Sequence, residues 1–192
     1  VVNVVRCDLR QVPIDEVPGK VVACFRAPRT IQGISDSVAT SYSRLIWNNV
    51  SGTDHYVVDS IPEAGLFSLL GSETVEDVVF IYLQLRGWLV VPHSRKIDTM
   101  GFEYLVIERN NGTRAIVQVK TGDTPLFLSD YGGLGKVFLF QANGRYIGES
   151  LGNVECLDPS EMLCFVAENL KLMPGVVQRW FGHLAKSLET ER

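Results

Sequence analysis

"FEYLVIERNNGTRAIVQVKT", residues 102–121, decides the fold. Two runs rich in valine, isoleucine and tyrosine flank an Asn-Gly pair, the strongest short-range hairpin signal a sequence offers. The expectation is that 102–109 and 114–121 are adjacent antiparallel strands. Folding the chain about Arg109–Gly112 sets Glu103 across from Gln118. Side-chain alternation sends Ile116, Gln118 and Lys120 to one face and Val117 and Val119 to the other. Two polar groups on one side of so apolar a strand are either the solvated end of an ordinary strand or groups aimed at one spot.

Working outward, "SETVEDVVFIYLQLRGW" (72–88) predicts a helix capped by Ser72 and ended by Gly87, with Val75, Val78, Val79, Tyr82 and Leu83 as its apolar stripe. "WLVVPHS" follows as a strand, and a second Asn-Gly, in "KVFLFQANGRYIGES" (136–150), predicts another hairpin. "DPSEMLCFVAENL" (158–170) opens a helix with Asp158 as N-cap and Pro159 at its first position, and "VVQRWFGHLAKSL" resumes helix after Pro174-Gly175. Upstream, "VVNVVRCDL" (1–9), "KVVACFRA" (20–27) and "HYVVDS" (55–60) read as strands. "SDSVATSYSRLIWNNV" (35–50) reads as a helix capped by Ser35 or Asp36, and "IPEAGLFSLLG" as a helical turn or two. The expected class is α/β: a mixed central sheet flanked by helices. Residues 1–71 form an N-terminal α/β lobe without recognisable chemistry, and 72–192 carry the main domain.

At 192 residues the chain is long enough to bury a core without disulfide staples. Cys7, Cys24, Cys156 and Cys164 are scattered with no C-x-x-C pair, and the three histidines are far apart. A zinc site is not expected; the cysteines read as buried thiols of a reducing compartment, and the expected location is the cytoplasm. No apolar run approaches a membrane span and no signal peptide is visible at the N-terminus. The chain opens on Val1, which suits a piece of a longer protein with a missing domain; a homodimer is the other arrangement considered. The net charge is −4, yet Arg86 to Lys120 holds six basic residues against three acidic ones, net +3, which leaves −7 for the rest. A local basic face on an acidic protein is compatible with DNA.

Glu103, Gln118 and Lys120 can meet on one face of two adjacent strands. A carboxylate and an amide oxygen suit Mg²⁺, which takes one or two protein oxygens and keeps several waters. A lysine beside them can orient water and stabilise charge on a phosphate. Metal-assisted phosphodiester hydrolysis needs that combination. The bland alternative is a structural ion pair, because a lysine in a buried strand needs a partner and Glu103 supplies one. "GGLGK" at 132–136 is not a P-loop: Asp130 stands where the first glycine is required and Val137 where Ser or Thr should be.

The order "EDVVFIYLQLRGW", strand, acidic residue on a hairpin, then "VQVKT" resembles the PD-(D/E)XK, restriction-endonuclease-like nucleases. The Gln-x-Lys variant is similar to Mrr-type restriction enzymes, and the helix to Holliday-junction-resolvase-like members. The resemblance covers about residues 72–122. It implies a restriction-endonuclease-like core, a Mg²⁺ or Mn²⁺ cofactor and DNA as substrate, in restriction, repair or recombination. It places Glu76 at the helix glutamate, Gln118 at the second metal ligand and Lys120 at the lysine. The chain departs from the pattern at two points. The expected aspartate falls near Leu105, so that Glu103, two residues earlier, or Asp98 from the preceding loop must stand in as metal ligand; and the second carboxylate is the amide of Gln118. Arg95 and Lys96 are either a phosphate clamp or a solvated loop. A degenerate member of the fold, binding nucleic acid or a protein without cutting, is the alternative function.

Overall fold

The computed structural model describes residues 10–26, 33–58, 65–92, 94 and 102–190. A 3₁₀ turn at Ile14–Glu16 leads into α1 (Gly19–Arg26). The strand expected at 20–27 is therefore a helix. A short apolar run serves either structure equally, and tertiary packing chooses. The choice is visible at Gly19, where a Cβ would stand 3.0–3.1 Å from the backbone of Leu70 and Gly71. Only glycine lets the two segments approach that closely.

α2 (Ser37–Ser51) is capped by Asp36, whose carboxylate accepts from the Ala39 N–H at 2.8 Å. Its buried face carries Ala39, Tyr42, Leu45 and Ile46. The strand expected at 55–60 is not formed over His55–Val58; the rest of that segment lies outside the described residues, as does 1–9. The Asn48 side chain binds both the N–H and the carbonyl of Tyr56, which holds this backbone against α2 instead of in a ladder.

α3 (Leu66–Leu69) is a single turn, and α4 (Ser72–Leu85) follows with Val75, Val78, Val79, Tyr82 and Leu83 buried as the spacing requires. Each such burial stabilises by about 1.5–3 kcal/mol. The N-cap is Gly71, not Ser72, and no side chain caps it. Gly87, at φ +87°, turns the chain out of the helix.

β1 (Trp88–Val90), β2 (Tyr104–Glu108) and β3 (Arg114–Lys120) form an antiparallel meander. Tyr104 pairs with Val117 and Leu105 with Ile116, the register the sequence implies. β4 (Leu126–Phe127) and a 3₁₀ turn at Leu128–Tyr131 lie between β3 and β5 (Lys136–Gln141); β6 (Tyr146–Ile147) and β7 (Val154–Leu157) come after. The main sheet runs β1-β2-β3-β5-β7, with β3, β5 and β7 parallel. The hairpin expected at the second Asn-Gly is not made. The turn closes, with the Gly144 N–H on the Gln141 carbonyl at 2.8 Å, but β6 then pairs in parallel with β4. The glycine-rich loop 132–135 wraps a side chain: Asn153 Nδ2 donates to the carbonyls of Tyr131, Leu134 and Gly135.

α5 (Pro159–Glu168) starts on Asp158, which accepts from the N–H groups of Ser160 and Glu161, and α6 (Gly175–Thr190) closes the chain. Tyr42 of α2 stacks on Trp180 of α6, centroids 3.8 Å apart. The larger core joins α2, α3, α4, α5 and α6 to one face of the sheet through residues such as Tyr104, Val117 and Phe140. A smaller one, with Leu126, Leu128, Tyr131, Val137 and Leu139, fills the other face. The fold is thus the expected mixed sheet flanked by helices. The thiols are not buried as a set: Cys156 and Cys164 are exposed, Cys24 is intermediate, and Cys7 lies outside the described residues. Among the described residues no helix is long and apolar enough to cross a membrane.

Candidate active site on the central hairpin

The hairpin register carries one residue beyond the regular strand, because the Glu103 N–H donates to the Val117 carbonyl at 2.9 Å. That bond fixes Glu103 opposite Gln118. Alternation then turns Glu103, Gln118 and Lys120 to the face of the smaller core. Val117 and Tyr104 face α4 on the other side.

The three side chains meet on a single carboxylate oxygen. Gln118 Nε2 donates to Glu103 Oε1 at 2.7 Å, and Lys120 Nζ lies 3.5 Å from the same atom. Gln118 is 4% exposed, so its amide is a buried group and the bond to Glu103 satisfies it. Nε2 also reaches toward the Val119 carbonyl at 3.4 Å. The Glu103 and Lys120 side chains are 28% and 47% exposed. Lys120 is thus the last residue of a central strand, with its ammonium at the surface, and the fully buried lysine implied by its apolar neighbours is not what forms.

Of the other residues singled out in the sequence, Glu76 stands in the first turns of α4, which packs on the opposite sheet face. Its backbone carbonyl accepts from the Tyr104 hydroxyl at 3.3 Å. Asp98, Arg95 and Lys96 lie outside the described residues. Tyr131 was not legible in the sequence. Burial raises the pKa of its hydroxyl, and the negative charges of Asp130 and Glu103 raise it further, which places it in the field of the trio. Nothing local marks it; the crossover from β3 to β5 brings it there.

A divalent cation needs oxygen donors that are not already committed. Two exist: Glu103 Oε2 and Gln118 Oε1 accept no hydrogen bond among the described residues, while Glu103 Oε1 takes both nitrogens. One carboxylate and one amide fit the sparse protein ligation that Mg²⁺ tolerates. They do not make a high-charge cage, and among the described residues no cluster of three or more His, Cys, Asp or Glu stands ready to hold a metal. No family model, no curated protein and no solved structure matches this chain.

Proposed function

We propose that the chain is a metal-dependent nuclease of the restriction-endonuclease-like type, hydrolysing DNA phosphodiester bonds. The observation that carries the reading is the convergence of Gln118 and Lys120 on Glu103. Glu103 and Gln118 would hold Mg²⁺ or Mn²⁺ through their uncommitted oxygens. When bound, such an ion lowers the pKa of water and polarises the phosphoryl oxygen. Glu103 also holds the Lys120 ammonium at the surface end of the strand. There it can hydrogen-bond an attacking water and offset charge that develops on the phosphate. Gln118, buried and fixed by the same carboxylate, keeps the pair aligned without adding charge. The helix-then-hairpin order and the exposed Lys120 ammonium support a DNA substrate.

The second reading, a degenerate member that binds without cutting, is favoured by one observation: the single carboxylate already satisfies two N–H donors with one oxygen. The test is incubation with linear, supercoiled, branched and single-stranded DNA in Mg²⁺ or Mn²⁺. Cleavage of any substrate, lost in Lys120→Ala, is the expected result. DNA binding without cleavage in either metal moves the assignment to the second reading. Neither binding nor cleavage removes the nuclease reading and leaves only the protein-binding form of the second.

A further inference from the structure

We propose that Arg145 is the DNA-backbone contact of this site, holding a phosphate beside the one that Lys120 addresses. The proposal rests on the nuclease reading and adds to it the residue that grips the strand. Lys120 and Gln141 are register partners at the carboxyl ends of parallel strands β3 and β5, and the Ala142 N–H donates to the Lys120 carbonyl at 2.9 Å. Open α/β sheets bind ligands at such strand ends. Asp123 lies three residues beyond Lys120, and Arg145 three beyond Ala142. The two segments meet: Arg145 Nη1 donates to the Asp123 carbonyl at 2.9 Å, and Asn143 Nδ2 to the Asp123 carboxylate at 3.1 Å.

A fully buried amide locks this rim. Gln141 Nε2 donates to the carbonyls of Gly122 and Thr124, and its Oε1 accepts from the N–H groups of Asn143 and Arg145. The guanidinium is therefore oriented, yet the group that orients it is a neutral carbonyl. Among the described residues Arg145 forms no ion pair with a carboxylate, whereas Lys136 and Arg179 do. An exposed, pre-positioned cation without a carboxylate ion pair among the described residues suits the paired oxygens of a phosphate. Three residues of chain span at most about 10 Å, which keeps Arg145 within reach of a phosphate neighbouring the one at Lys120.

The test is fluorescence anisotropy of a labelled DNA duplex in EDTA, between about 50 and 200 mM salt. Arg145→Gln should bind about tenfold more weakly and lower the slope of log affinity against log salt by about 1. Arg145→Lys should restore the slope. Arg114→Gln, at the far end of β3 about 20 Å from Lys120, should match wild type. If wild type binds and cuts DNA while Arg145→Gln keeps wild-type affinity and slope, the role of Arg145 is refuted and the nuclease reading stands. Weaker binding with an unchanged slope refutes it also, because that is the signature of a disturbed loop. Wild type that neither binds nor cuts removes the nuclease reading itself.

Discussion

Replacing Lys120 by alanine separates catalysis from structure, and the geometry sets the size of each effect. The Nζ–Oε1 distance is 3.5 Å, with the two side chains 47% and 28% exposed. An ion pair so open to solvent is worth about 0–1 kcal/mol. The ~3–5 kcal/mol cost of stranding a buried charge does not apply, because Glu103 keeps the Gln118 amide at 2.7 Å and its own access to water. The melting temperature should therefore fall by no more than about 2–4 °C. Loss of a group that stabilises charge in the transition state costs far more, roughly a hundred- to thousandfold in rate. Thermal melts and DNA cleavage measured on one preparation read both quantities. A variant that cuts like wild type refutes the assignment. So does one that loses more than about 3 kcal/mol of stability while its cleavage falls only with the folded fraction, since Lys120 would then be a structural partner.

Gln118→Glu should tighten Mn²⁺ binding in calorimetry by adding a second carboxylate, and should lower the melting temperature in EDTA, where two carboxylates share the single Lys120 ammonium. Unchanged Mn²⁺ affinity would show that the amide is not a ligand. Gln141→Ala should cost about 2–3 kcal/mol in urea unfolding, because the buried amide serves two carbonyls and two N–H groups at once; a cost below about 1 kcal/mol would mean that water replaces it. Burial raises the hydroxyl pKa values of Tyr42, Tyr82, Tyr131 and Tyr146. A raised folded pKa gives stability that is whole below the unfolded value near 10 and is lost as pH rises, because only the unfolded state then gives up the proton. Melts should be level to about pH 8 and fall slightly near pH 9, as partial burial keeps the Cys156 thiol protonated only in the folded state. They should then fall by up to about 1.4 kcal/mol per pH unit for each strongly shifted tyrosine, Tyr42 and Tyr146 first. Stability that holds through pH 11 would contradict the burial.

The parts of the fold legible in the sequence are those in which a local signal names its own partner. In the hairpin of β2 and β3 the turn fixes the register, and the register places Glu103 on Gln118. The cap at Asp158 and the apolar stripe of α4 are equally self-contained. The second Asn-Gly shows the limit. Its turn forms, but a turn specifies only a reversal, and distant groups hold the strand beyond it. Tyr146 accepts from the Gln141 N–H and donates to the Leu157 carbonyl, anchoring β6 beside β4. The helix at 19–26 is illegible for the same reason, since its apolar run is neutral between structures and Gly19 meets Leu70–Gly71 only in the folded chain. Tyr131, Gln141 and Arg145 reach the candidate site through parallel crossovers, which leave no periodic mark.

The amide at position 118 is where structure and chemistry constrain each other most tightly. At 4% exposure a glutamate there would need a cation or a proton to be tolerated. Glutamine removes that demand and donates to Glu103, so the trio is satisfied without any metal. The same exchange leaves one formal negative charge among the oxygens offered to a dication, partly offset by the ammonium 3.5 Å away. If the site takes Mg²⁺, part of the attraction for the ion would have to come from the substrate's phosphate oxygens, as Mg²⁺ sites commonly arrange. On the nuclease reading, a site built this way would load its metal together with DNA. On that reading an oriented cation at the rim, such as Arg145, would serve metal loading as well as DNA binding.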